Sequence, residues 1–154
     1  EISERKLRVE DAINSARAAV QEGIIAGGGS VLVQIAQELR SYADEFSGDT
    51  QVGVLALAKA LVKPTFWIAE NAGVDGSVVV SRVADLKNGF GFNAATLGYD
   101  DLLAAGIIDP VKVTHSAVVN ATSVARMVLT TEASVVDKPQ PPAPPAPGGH
   151  GHHH

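Results

Sequence analysis

Apolar and polar positions alternate at helical spacing over most of the chain. Val9, Ile13, Ala16 and Val20 recur every three to four residues, which predicts an amphipathic helix over residues 3–22, with Glu4, Arg5, Lys6, Arg8 and Glu10 mostly towards solvent. Gly23 is its stop, and the Gly27–Gly29 turn follows, with Ser30 placed to cap the next helix. That helix is expected from about Val31 to Phe46, burying Leu32, Ile35, Leu39, Ala43 and Phe46. Ser47–Thr50 reads as a turn, with Asp49 or Thr50 as the next cap. Residues 52–72 are apolar nearly all round and are read as a central core helix that Pro64 kinks or divides. Asn71–Gly73 is a left-handed stop, and a helix over Ser77–Leu86 comes next.

After Leu86 the pattern changes. Asn88–Gly89 is a hairpin signal, so residues 85–96 are expected to form a short β-hairpin. Asp100–Ala105 is read as a short helix. Asp109–Pro110 marks the start of the last helix, Asp at the cap and Pro at the first position, running to about Thr130 with Val113, Ala117, Ala121, Val124 and Val128 facing the core. Glu132–Val136 is read as a terminal strand. From Lys138 on, the Pro- and His-rich composition predicts an extended tail without a packed core. The expected fold class is therefore mainly α, a helical domain with one short β-hairpin and a terminal β-strand.

Composition narrows the partners. Hydrophobic residues make up 45% of the 154, enough for a packed core, while aromatics are only 5%, so that core must be aliphatic. A net charge of −5 argues against a nucleic-acid partner, and the apolar runs are interrupted short of the ~20 residues that span a bilayer. With no cysteine there is no disulfide framework, thiolate metal site or cysteine nucleophile, and a cytoplasmic location is the expectation. The opening EISERKLRVEDA enters a helix partway and lacks Met, the expectation for a fragment or processed chain.

Three ordered stretches, RVEDAINSARAAVQEGIIAGGGSVL, GFGFNAAT and AAGIIDPVKVTHSAVVNATSVARMVLTTEASVVDKP, carry a family resemblance. They resemble the C-terminal part of bacterial group I chaperonins of the GroEL type. The resemblance covers residues 2–138 in family order and spacing. It implies that residues 1–21 are the C-terminal helix of an intermediate domain. Residues 22–136 would be the second half of an equatorial, ATPase domain, and residues 137–154 a disordered Pro/His-rich tail. The implied function is part of an ATP-dependent chaperone that encloses and refolds non-native proteins in stacked rings of subunits. A co-chaperonin lid and unfolded clients would be reached through an apical domain not in this sequence. ATP with Mg is the implied cofactor, with the phosphate loop and metal ligand outside this chain, so the fragment alone should be inactive.

Residue by residue, the resemblance puts Gly28 beside bound ATP and Asn93, Ala94 and Ala95 along the adenine. Asp109 would contact the ribose, and Ile107 would form an apolar wall near the base. Asp11 would be the acid that positions the attacking water. Read by pattern alone, the glycines let two helices pack closely, Asn93 serves turn geometry, Asp109 is a helix cap, and Asp11 is one solvated acid among many. Phe66 and Trp67 replace aliphatic residues of the family pattern and are read as core or interface filler. His115 is read as a surface residue. The tail resembles His-ended chaperonins of some actinobacteria. His150, His152, His153 and His154 are able to hold a divalent transition metal, and a stand-alone interaction or metal-binding module using that tail is the alternative function.

Overall fold

A computed structural model describes residues 2–136, and the histidine tail lies outside that range. The chain runs α1 (Ile2–Glu22), β1 (Ile24–Ala26), α2 (Ser30–Ala43), α3 (Gly48–Leu61), α4 (Lys63–Asn71), α5 (Gly76–Ala84), β2 (Phe90–Asn93), β3 (Gly98–Asp101), β4 (Ile108–Pro110) and α6 (Val111–Leu129). The fold is mainly α, with two small antiparallel strand pairs, β1–β4 and β2–β3.

Two small cores hold the helices. Val33, Ala69, Val79, Val83 and Phe92 bring together α2, α4, α5 and the first hairpin strand. Ala36, Ala58 and Leu61 join α2 to α3. The α2 stripe is thus turned by about one residue from the expected one. Val33 and Ala36 are buried, Leu32 and Leu39 are partly buried, and Ile35 is exposed, because small Ala36 lets α3 approach closely.

Pro64 divides the long apolar segment as expected: α3 ends at Leu61 and α4 starts at Lys63. The expected burial does not follow. Gly48–Asn71 has the length and mean hydropathy (1.5) of a membrane span, yet only 22% of that window is buried. Of this segment only Ala58, Leu61, Thr65 and Ala69 are buried, with Leu57, Val62 and Phe66 partly buried beside them. Trp67 is 58% exposed, and Phe66 beside it packs on Gly76. The stripes of α1 and α6 are likewise bare. Val9, Ile13, Val20, Val113, Val124 and Val128 are exposed, and α6 has no buried residue. The covered positions are others, Ala18 on α1 and Val118 on α6, so the faces expected to be core are not the ones the described residues bury.

Local signals were overridden in six places. Ser30 does not cap α2. It is the first helical residue, Gly29 is the N-cap, and the Ser30 hydroxyl donates to the Gly27 carbonyl at 2.9 Å. Asp49 and Thr50 lie inside α3, whose N-cap is Ser47. The hairpin falls later than expected. Its strands are Phe90–Asn93 and Gly98–Asp101, and its turn is Ala94–Leu97, with Leu97 in the left-handed region (φ 55°). Asn88–Gly89 instead leads into β2, and the Gly89 carbonyl accepts from the Leu102 N–H. Asp100–Ala105 is strand end and turn, not helix, since pairing with β2 holds Asp100 and Asp101 extended. Asp109 is not a cap: it lies in β4 opposite Ile25, and Pro110 is the N-cap of α6. Residues 132–136 form no strand, because no described strand offers them a ladder.

One cap is well made. The Asp75 carboxylate accepts from the N–H groups of Ser77 (2.8 Å) and Val78 (3.1 Å), starting α5, an arrangement that contributes about 1 kcal/mol.

Candidate functional site

The triple glycine lies where three separate parts of the chain meet. β1 pairs with β4, setting Ala26 opposite Ile108, and the Gly27 N–H donates to the Ile107 carbonyl at 2.9 Å. A Cβ on Gly27 would sit 3.2 Å from the backbone of Ile107 and Ile108. On the other side, a Cβ on Gly29 would lie 2.8 Å from Thr65 Oγ1 and 3.2 Å from the Thr65 nitrogen. The outer glycines are therefore filled by protein.

Gly28 differs. Its φ is +65°, a conformation L side chains rarely adopt, and its outward face meets no protein atom nearer than 3.8 Å, the Phe92 carbonyl oxygen. The Gly28 carbonyl is held by Thr65 Oγ1, which donates to it at 2.8 Å. Its N–H donates to the Asp109 carboxylate. The middle glycine thus presents bare main chain held on both sides, with β4 on one flank and the end of β2 on the other.

Burial pushes the Asp109 carboxyl above the usual carboxylate range, and the Gly28 hydrogen bond only partly offsets this. Ionised Asp109 is consequently less favourable in the fold than in the open chain. That penalty is absent below the ordinary value of 3.8 and develops as the pH rises through the folded-state pKa. Asp109→Asn keeps an acceptor for Gly28 and has no charge to desolvate. Its urea midpoint is expected to exceed the wild type's at pH 7, with the difference disappearing near and below pH 3.8. A lower midpoint at neutral pH would show that the charge stabilises.

Asn93 ends β2 and is buried. Its Oδ1 accepts from the Ala95 N–H at 3.0 Å, and its Nδ2 donates to Asp100 Oδ2 at 3.0 Å. Ala94 and Ala95 follow at the exposed start of the turn, and Ile107, half-buried, precedes β4. The structure brings together Gly28, Asp109, Ile107 and the Phe92–Asn93 strand end. Asp11 stands apart on the exposed part of α1, which packs on α6 and β4. Sequence reasoning missed Thr65 and Asp100, whose partners are far away in the chain or lie across a strand pair, so no local spacing reports them. No cluster of His, Cys, Asp or Glu fit for a metal occurs among the described residues, and the four tail histidines lie outside them.

The structure resembles the open-state monomer of a group II chaperonin from Methanococcoides burtonii, with a TM-score of 0.72 and 26% identity over 79% of this chain and 32% of that one. The profile of the TCP-1/cpn60 chaperonin family matches residues 1–139, and the chain belongs to that family. It is 75% identical to chaperonin GroEL 1 of Corynebacterium diphtheriae over 92% of its length, and 71% identical to chaperonin GroEL 1 of Corynebacterium efficiens over all of it. The chain spans 26% and 28% of those two relatives.

Proposed function

We propose that this chain is the returning portion of a chaperonin ATPase subunit and forms the adenine and ribose wall of its nucleotide site. In this reading residues 1–21 are the end of the intermediate domain and residues 22–136 the second half of the equatorial domain. The observation that carries it is the conformation of Gly28, with its open outward face, its carbonyl held by Thr65 and its N–H on Asp109. Bare backbone lets a planar or phosphate-bearing ligand come close. Asp109 has acceptor capacity left beyond the Gly28 bond for a sugar hydroxyl. Ala94 and Ala95 offer a small surface for a base, and Ile107 an apolar edge.

Asp11 completes the site when α1 swings over the nucleotide, where its carboxylate orients the attacking water. Phosphoryl transfer depends mainly on positioning and charge stabilisation. Mg and the remaining phosphate contacts come from the part of the subunit outside this chain, and Mg would neutralise charge on the phosphates. The bare stripes of α1, α3, α4 and α6 support this division, since such surface is covered in a complete domain or between subunits. The complete protein is read as a cytoplasmic, ring-forming folding chaperone whose co-chaperonin and clients bind outside this chain.

Purified by itself, the 154-residue chain should show no detectable ATP turnover with or without Mg. Clear metal-dependent release of phosphate would overturn the division of the site. Asp109→Asn in the complete subunit should weaken ATP binding while stabilising the fold at pH 7, a combination that a cap or packing role does not produce.

A further inference from the structure

Both ends of the Asn93 amide are engaged, which fixes its orientation and leaves one N–H and one lone pair over. Its Oδ1 accepts from the Ala95 N–H and its Nδ2 donates to Asp100 Oδ2, both at 3.0 Å. Asp100 also accepts from Thr96 Oγ1 at 3.4 Å. Asn93 pairs with Gly98 and Asp100 with Gly91, so Asn93 and Asp100 are diagonal neighbours on one face of the hairpin. That face presses on the start of α2: a Cβ on Gly91 would sit 2.8 Å from Ser30 Cβ. An ionised carboxylate only accepts, so it selects the amide orientation with Nδ2 towards Asp100 and Oδ1 towards Ala95. A flipped amide would set oxygen against oxygen and N–H against N–H.

We propose that Asp100 is a positioning residue for the base side of the nucleotide site. It locks the Asn93 amide, which in turn shapes the Ala94–Ala95 main chain that the base lies against. The proposal rests on the nucleotide reading above and adds a residue to it. The base is then read by main-chain groups of the turn, with Asn93 acting through their placement.

The test uses the complete subunit with Mg-ATP. Asp100→Ala should raise the Kd for ATP about ten-fold, the equivalent of one hydrogen bond to a charged acceptor, with turnover at saturating ATP changed by less than about two-fold. Asp100→Asn keeps an acceptor oxygen for Nδ2 and should restore affinity to within about two-fold of wild type. Should Asp100→Ala not fold, Asp100→Ser, whose hydroxyl is one atom short of the carboxylate oxygens, carries the same expectation. In the nucleotide-free protein, exchange of the Ala95 amide hydrogen should quicken in the Ala or Ser variant and not in the Asn variant. Ala94→Phe separates the two levels, since it fills the exposed turn without touching the amide lock. If Ala94→Phe weakens ATP binding and the Ala variant does not, the role of Asp100 is overturned and the site stands. If Ala94→Phe binds ATP like the wild type, the nucleotide reading fails and takes this inference with it. Equal loss of affinity and saturated turnover in the Ala variant, or an Asn variant as impaired as the Ala variant, also overturns the proposal.

Discussion

Asp11→Ala in the complete subunit is expected to leave ATP affinity within about two-fold of wild type and to slow hydrolysis by about 10²- to 10⁴-fold, the range for removing a group that assists proton transfer. The split follows from where Asp11 sits. It is exposed on α1, away from the Gly28–Asp109 contact, so it would have no part in the proposed nucleotide wall. In the proposed function its contribution would arise only when α1 moves over the site, and a residue that acts after binding lowers the rate without altering occupancy. Single-turnover hydrolysis beside equilibrium ATP binding separates the two quantities. A parallel fall in both would place Asp11 in the binding wall or make it a structural residue.

The largest expected effect on stability comes from a single methyl group. Gly91→Ala should lower the thermal midpoint sharply, by the equivalent of about 3 kcal/mol or more, at the upper end of the usual cost of overpacking. The new Cβ would stand 2.6 Å from Leu102 Cδ1 and 2.8 Å from Ser30 Cβ. Leu102 is fully buried and Ser30 is 1% exposed, so neither has room to withdraw. Relief would push the hairpin away from α2 and break the Ser30–Gly27 hydrogen bond, so ATP affinity should fall along with stability. Gly53→Ala is the matched control. No atom lies within 4 Å of its Cβ position on α3, and removing a helical glycine should be neutral or stabilising by up to about 1 kcal/mol. Similar midpoints for the two variants would contradict the close packing at Gly91.

Helical periodicity and the glycine turn were legible in the sequence because both are set by neighbours within a few residues. The helices fall close to where the apolar spacing put them, and Pro64 divides the long one. What the pattern could not supply was the cover. Val9, Ile13 and Val20 form an apolar stripe on α1 that stays exposed while Ala18 is buried, because periodicity says which positions share a face and not what lies against it.

The hairpin shows a different limit. Asn88–Gly89 is the stronger local turn signal, yet the strands turn at Ala94–Leu97, which contains no glycine and puts Leu97 at φ 55°. Pairing across β2 and β3 and the Asn93–Ala95 hydrogen bond hold that turn, and tertiary contact outweighs local preference. Asp109 followed the same rule. Its sequence neighbourhood describes a cap, whereas its partner is Gly28, brought to it by the pairing of β1 with β4. The grouping of Gly28, Asp109 and Asn93 was named from family resemblance. The physical links among them, through Thr65, Asp100 and the Phe92 carbonyl, emerge only when distant segments come together.

The most direct test is a structure of the complete subunit with a non-hydrolysable ATP analogue and Mg. The adenine is expected against Ala94 and Ala95, the ribose on the Asp109 carboxylate and the bare main chain of Gly28 beside the nucleotide. An analogue bound elsewhere, with that glycine facing solvent or protein alone, would contradict it.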